Sequence, residues 1–374
     1  MNYTTLYHLI FIVKIKNNMR VSILGSGLSS LTLAKALVNQ KIYVDVVVSK
    51  KVFQLNKSRT LGISRSNLEF FNNEIMDITK IIWKLKKIHI FTDNLNKEKL
   101  LNFENNKDQL FSIIKNYELS KLLENNLKTN KYFSKITFKQ KKNYFDNFDI
   151  VINTDYSSAF TKKYFYKQIV KKYNSFAYTT IIEHQKILND TAIQIFTKKG
   201  PLAFLPISSE KTSIVYSVHN SNKNNLQNIE ELIKFYNSKY RIKKVNVIES
   251  FELKSFILRS YYNNKFLAFG DLLHRIHPLA GQGFNMTLRD IQIFLKIIEN
   301  KKKLGLPLDS SINSEFESKT KHKNFIFANG VDLIHEFFNL ERKIKSSTLS
   351  KSIQFLGKIP KLNKVFTKVA DKGI

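Results

Sequence analysis

Between Val21 and Val48 the chain runs strand, glycine turn, helix, strand, an order that few folds accommodate. Val21–Leu24 is a short apolar run ending in Gly25-Ser26-Gly27. Leu28, Leu31, Ala34, Leu37 and Val38 then fall on one helical stripe, and Val44–Val48 reads as a strand buried on both faces. Such a succession within about thirty residues is the opening βαβ unit of a dinucleotide fold. Inside it lies Gly25-x-Gly27-x-x-Ser30. Gly25 permits a tight turn, and Gly27 lets backbone approach a pyrophosphate with no Cβ in the way. The helix that follows offers free N–H groups and partial positive charge. Ser30 stands where the pattern wants Gly or Ala, and is small enough for the helix to pack closely on the strand. The acidic residue expected at the end of the second strand, near Val48 or Ser49, is missing. Asp45 comes too early and lies inside the strand. The ribose contact therefore falls to Ser49, to a backbone group, or to nothing tight.

A chain of 374 residues suggests two domains at a prior of about 150 residues each. Strands are expected at Ile88–Phe91, Phe111–Ile114 and Phe148–Ile152, and a helix at Glu118–Leu127. Residues 176–218 read as strands broken by a turn at Lys199-Gly200-Pro201. Phe266–Phe269 is a further short strand, and from Met286 the pattern is helical. There is no repeat and no Pro/Gly/Ser linker. A nucleotide domain assembled from 19–60, 115–158 and 265–300 would interleave with a β-rich substrate domain of 61–114 and 159–264. Residues 301–374 would form a C-terminal helical region.

The sequence holds 61 Lys+Arg against 30 Asp+Glu, a net +31, but the lysines are spread among many Asn and Ile. That spread fits coding bias better than a nucleic-acid face, and no specific nucleic-acid partner is expected. A diffuse positive field still favours anionic lipid. Leu9–Val13 is far short of the ~20 apolar residues of a membrane span. Residues 1–18 read as a non-core extension, with Met19 directly before the first strand. Cysteine is absent, which excludes disulfides, thiolate metal sites and cysteine nucleophiles, and is compatible with a reducing cytoplasm. From Ser346 the chain is basic and amphipathic, with Leu349, Ile353 and Leu356 on one stripe. Such a helix could lie on the inner face of the cytoplasmic membrane, meet a partner, or cap the nucleotide domain.

The sharpest motif runs from Phe266 to Asn285: FLAFGDLLHRIHPLAGQGFN. A buried strand delivers Gly270-Asp271 to its carboxyl end, where open α/β sheets bind ligands. Gly281-Gln282-Gly283 bares backbone amides, and the helix starting near Asn285 aims positive potential at the same place. An electron-poor ring that becomes anionic on reduction would be stabilised there.

This run resembles the second flavin-binding motif of the class A flavoprotein aromatic hydroxylases, and more narrowly that of the ubiquinone-biosynthesis branch. Ser58-Arg59-Thr60-Leu61-Gly62-Ile63-Ser64, Asn116-Tyr117-Glu118-Leu119-x-x-x-Leu123 and the GP-x-A-x-LP segment Gly200–Pro206 are similar to that branch too. The resemblance implies an α/β fold: a Rossmann-like FAD-binding domain of the GR2/PHBH type, interleaved with a β-rich substrate domain and followed by C-terminal helices. It implies FAD as cofactor, with Gly25, Gly27 and Ser30 at the pyrophosphate, Asp271 at the ribityl chain, and Arg59 and Asp155 near the flavin. Pro278, Gly281, Gln282, Gly283 and Asn285 would edge the ring. It further implies NAD(P)H and oxygen as co-substrates, a polyprenylated phenol as the molecule hydroxylated, and other quinone-biosynthesis proteins as partners. His274 and His277 are the candidates for orienting substrate or relaying a proton; no metal ligand set is expected. The family's middle motif, Asp-Gly-x-x-Ser followed by Arg, reads Asp155-Tyr156-Ser157-Ser158-Ala159 here. That departure and the missing ribose acid leave open a degenerate scaffold subunit, or another flavoenzyme of this fold.

Overall fold

The structure, a computed structural model, describes residues 19–48, 57–95, 98–104, 109–137, 143–219, 226–276, 281–344 and 347–372. The 1–18 extension, Ser49, His277 and Pro278 lie outside the described residues.

β1 (Arg20–Leu24), α1 (Leu28–Asn39) and β2 (Tyr43–Val48) form the expected parallel unit, with Val21 opposite Val44 and Leu24 opposite Val47. α1 is buried from Ser30 through Val38 rather than along one stripe. The sheet closes on it from one side, and helices 116–128 and 282–303 from others. β3 (Thr60–Ser64) runs straight into the short α2 (Arg65–Phe70). Then come β4 (Ile82–Leu85), β5 (Lys87–Thr92), β6 (Lys99–Glu104), β7 (Phe111–Lys115) and α3 (Asn116–Lys128). β8 (Phe133–Thr137), β9 (Ile150–Asn153) and α4 (Ala159–Tyr164) complete the first half.

The β-rich part holds β10 (Gln168–His184), β11 (Thr191–Thr197), β12 (Gly200–Pro206) and β13 (Lys211–His219). α5 (Leu226–Tyr236), β14 (Ile242–Val245) and β15 (Glu249–Leu258) follow. Gly200 pairs with Thr197 and Pro201 with Phe196, so Lys198-Lys199 alone make the turn expected at 199–201. β16 (Tyr262–Asn263), β17 (Phe266–Ala268) and β18 (His274–Arg275) lead to α6 (Gln282–Lys303) and the long α7 (Ser311–Ile344). α8 (Thr348–Lys358) and α9 (Pro360–Lys372) end the described chain.

Two large sheets result. The first has the order β16-β17-β9-β1-β2-β8, parallel throughout except for the β16–β17 hairpin. The chain leaves β1 towards β2 and β8 on one side and returns to β9 and β17 on the other. The strand order therefore reverses between β1 and β9, and the crevice beyond their carboxyl ends is where such sheets take ligands. The second sheet runs β18-β15-β10-β13-β12-β11-β5-β6, with β14 added beside β10. One of its faces packs Tyr178, Phe204 and Tyr216 on Ile229 and Ile233 of α5.

Residues 61–78 were expected in the substrate domain. Leu61, Ile63, Leu68, Phe71, Ile75 and Ile78 instead bury in the cluster that holds Val21, Ile23 and Val44, so this segment packs with the nucleotide sheet. The C-terminal arm also departs from expectation. Ile353 turns inward, against the cluster of Leu95, Leu100 and Phe338. A Cβ on Gly357 would lie 2.2 Å from Leu101 Cδ2, so α8 rests directly on β6. It covers the edge strand of the second sheet, which would otherwise offer unpaired backbone groups to other chains. Among the described residues no helix is long and apolar enough to cross a membrane.

Candidate functional site

The site is built where β1, β9 and β17 end. Gly25 has φ of +116°, and a Cβ there would stand 2.5 Å from Thr154 Oγ1 and 3.4 Å from the Asp155 nitrogen. Thr154 Oγ1 donates to the Leu24 carbonyl at 2.9 Å and lies 2.6 Å from Ser30 Oγ, so the Ser30 hydroxyl donates to Thr154. Ser30 is buried. It fastens α1 to the end of β9. Thr154 was not singled out from the sequence, although the Asn153-Thr154-Asp155 turn that carries it was visible.

Gly270 closes the crevice from the other side. Its φ is +62°, and a Cβ would lie 2.7 Å from Ser29 Cβ and 3.9 Å from Thr287 Cγ2. The Gly270–Leu272 turn is thus wedged between the first turn of α1 and the first turns of α6. Asp271 within it is exposed, with no hydrogen bond or ion pair to a described residue. Three segments far apart in sequence, 25–30, 153–155 and 270–271, meet here.

Both helices point bare amide ends into this region. α1 starts at Gly27 and α6 at Gly281, with no side-chain cap and no acidic residue in the first turn of either. A Cβ on Gly27 or Gly283 would meet no described residue within 4 Å. An uncapped helix start suits an anionic, phosphate-bearing ligand.

Gly281 has φ of +64° and packs on β3, where a Cβ would approach the Gly62 nitrogen to 3.0 Å. Asn285 fixes that contact: Nδ2 donates to the Gly62 carbonyl at 3.0 Å, and Oδ1 accepts from the Ser64 amide at 2.9 Å and Asn67 Nδ2 at 3.0 Å. Fully buried and with both ends engaged, Asn285 holds the bend on β3. Gln282 is buried beside it.

His274 is not poised for chemistry at an open surface. It is buried, with Nε2 2.7 Å from Asp290 Oδ2, and Asn324 Nδ2 donates to Asp290 Oδ1 at 3.0 Å. It ties β18 to α6 and α7. Arg59 is exposed beside the crossing to the second sheet, where Thr60 Oγ1 lies 2.8 Å from Ser213 Oγ and Ser58 Oγ 3.1 Å from Thr179 Oγ1. Asp155 turns its carboxylate onto its own loop, accepting from Ser157 N at 2.8 Å and Ser157 Oγ at 2.7 Å. Tyr156 needs no glycine-like backbone, and its ring leans on Phe256 at 5.0 Å. Asp45 stays within β2, 4.0 Å from Arg20, and burial raises its pKa more than the Arg20 charge lowers it. It does not serve the ribose end. Among the described residues no group of His, Asp and Glu could hold a metal ion.

This fold recurs in solved structures. p-Nitrophenol 4-monooxygenase PnpA from Pseudomonas putida superposes with a TM-score of 0.75 over 96% of this chain and 99% of that one, at 12% identity. Klebsiella pneumoniae HpxO, solved with FAD and uric acid, gives 0.73 over 96% and 98%, at 11% identity. Sequence similarity points the same way. The 3-demethoxyubiquinol 3-hydroxylase of Escherichia coli is 29% identical over 157 residues, 40% of each protein. Ubiquinone hydroxylase UbiL of Rhodospirillum rubrum is 24% identical over 175 residues, 45% of this chain and 41% of that protein. The chain therefore shares the fold of these two solved proteins and is similar in sequence to ubiquinone-biosynthesis hydroxylases. The matched region spans about two fifths of those sequence relatives, and no protein-family model matches the chain.

Proposed function

We propose that the chain binds FAD in the crevice between β1 and β9 and hydroxylates the ring of a polyprenylated phenol in ubiquinone biosynthesis, drawing on NAD(P)H and oxygen. The meeting of Gly25, Thr154 and Gly270-Asp271 before two uncapped helix starts carries this reading. The names of the sequence relatives support the substrate class. Bound there, FAD would supply the redox and oxygen chemistry that no side chain can.

The chain's own residues would bind, orient and exclude water. The open end of α1 at Gly27 would hold the pyrophosphate, and Asp271 would accept from ribityl hydroxyls. The amides at Gly281–Gly283 would stabilise the negative charge that develops on the ring. Asn285 and His274 are positioning residues: one fixes the 281–283 bend on β3, the other fixes β18 on α6. The face of the second sheet that carries Thr179 and Ser213 looks onto Ser58–Thr60 and also bears the small Ala177 and Ala203. A phenolic ring would lie over those small side chains, shielded from water.

The purified chain should take up FAD, turn yellow, and oxidise NAD(P)H faster when a prenylated phenol is added. A deletion strain should accumulate an under-hydroxylated quinone precursor, rescued by the native chain and not by Asp271→Ala. Full rescue by Asp271→Ala would overturn the enzymatic reading in favour of a scaffold subunit.

A further inference from the structure

Helix α7 turns an apolar face to solvent. Phe325, Ile326, Leu333 and Ile334 are 47%, 49%, 71% and 50% exposed. At 3.6 residues per turn these four, with Asn329 and Gly330 between them, share one half of the helix circumference. The opposite half carries Phe327 and Val331, packed on Met286 of α6. A surface helix normally puts polar residues outward, and a contiguous exposed apolar run marks an interaction face.

The order of the residues says what covers it. Phe325-Ile326, Asn329-Gly330 and Leu333-Ile334 are symmetric about the point between 329 and 330. When two such helices cross antiparallel on a two-fold axis at that point, Ile326 of each meets the partner's Leu333, and Phe325 meets the partner's Ile334. The same axis brings the exposed Lys323 beside the partner's Glu336, a carboxylate 50% exposed and shared with Lys171 at 2.9 Å. The apolar pairs and the charge pair thus fall into one register.

Gly330 is the second observation. Glycine within a helix is destabilising against alanine. A Cβ at Gly330 would meet no described residue within 4 Å, so packing among the described residues does not require glycine there. At a crossing point it lets two helix backbones approach closely.

We propose that α7 is the interface of a homodimer, crossing its symmetry mate antiparallel at Asn329-Gly330. This stands apart from the flavin reading and is tested without cofactor or substrate. Because the chain has no cysteine, a single introduced thiol reports on one position. Asn329→Cys lies on the axis and should oxidise to a disulfide-linked dimer at least ten times faster than Val247→Cys, a control 80% exposed on another part of the surface. Sedimentation of the native full chain between about 1 and 100 µM should show its mass doubling. Leu333→Asp should remain monomeric across that range, with unchanged helical content by circular dichroism. Gly330→Leu, an easier helix former, should keep its fold and lose the dimer. Equal cross-linking of the two cysteine variants would overturn the proposal. So would a native chain that stays monomeric and sediments with phosphatidylglycerol vesicles through Leu333, which would assign the face to an anionic bilayer.

Discussion

Gly25 and Gly27 belong to one pattern and answer to different constraints. Gly25 sits at φ of +116° with Thr154 Oγ1 2.5 Å from where a Cβ would be, so Gly25→Ala strains the backbone and crowds the end of β9. It should lower unfolding stability by about 1–3 kcal/mol, with or without flavin, as read by urea denaturation. Gly27 has φ of −75° and ψ of 174°, which any residue adopts, and faces open space. Gly27→Ala should leave the urea midpoint in place and weaken FAD binding about tenfold or more, because the new methyl would enter the volume proposed for the pyrophosphate. The sequence paired these glycines correctly but could not separate them, since the difference is made by Thr154, far along the chain. Arg289 in α6 makes a different case, a charged side chain drawn largely out of solvent. Its guanidinium lies 4.5 Å over the Phe327 ring, and both terminal nitrogens are buried with no hydrogen bond to a described residue. Burial lowers its pKa to about 10, against the pull of Asp290 and Asp371. A cation whose folded pKa is depressed destabilises the fold at all pH below that value, and the penalty fades as pH rises towards the unfolded value. Arg289→Met keeps the apolar stem, and should raise stability at neutral pH by up to about 3 kcal/mol. A fall in the urea midpoint would show that the charge is compensated in solution.

The same contrast holds for whole elements. A period of 3.6 identifies a helix and its apolar stripe, and all the expected helices form, but the stripe does not say which neighbour it meets. α8 is the clearest example. Its basic face and the Leu349–Ile353–Leu356 spacing read equally well as a membrane helix or as a cap, and the structure turns Ile353 onto Leu95, Leu100 and Phe338. Polar contacts pin the arm at both ends. Buried Glu341 accepts from Ser350 N at 2.7 Å and Ser350 Oγ at 2.6 Å, and Gln354 Nε2 donates to the Lys99 carbonyl at 3.0 Å. Further on, Asp371 Oδ1 accepts the Ser66 amide at 2.9 Å. Ile353→Asp should therefore free α8 from β6, speed limited proteolysis after residue 344, and cost about 2–4 kcal/mol, the range for losing a packed aliphatic side chain. Unchanged cleavage would mean that the polar ties alone hold the arm. The β-strands near the site were legible for the opposite reason. Val21–Leu24 and Leu267–Phe269 are buried on both faces, and so write continuous apolar runs that end at their glycines.

At the scale of the molecule, the nucleotide sheet is closed by strands from both ends of the chain. β17 enters beside β9 only after the whole β-rich part has been made. One apolar cluster runs from Met19 to Phe316 and takes in residues 61–78, which the sequence assigned to the other domain because local periodicity carries no information about tertiary partners. The proposed ligand crevice lies across this closure: Gly25 follows the first strand, Thr154 comes from the middle, and Gly270-Asp271 from the last. A ligand bound there holds the closing strand to the opening one, and it binds the folded chain alone. FAD at about one hundred times its dissociation constant should therefore add about 2.7 kcal/mol to unfolding stability. Because both sides of the crevice share one cluster, the gain should appear as a shift of one cooperative transition, with far-UV dichroism and tyrosine fluorescence moving together. Asp271→Ala should unfold near the native apo midpoint and lose the shift, since its carboxylate is exposed and touches no described residue. If FAD moved only an early partial transition, the closing strand would be separable from the rest, and the crevice would not be the seam on which the fold depends.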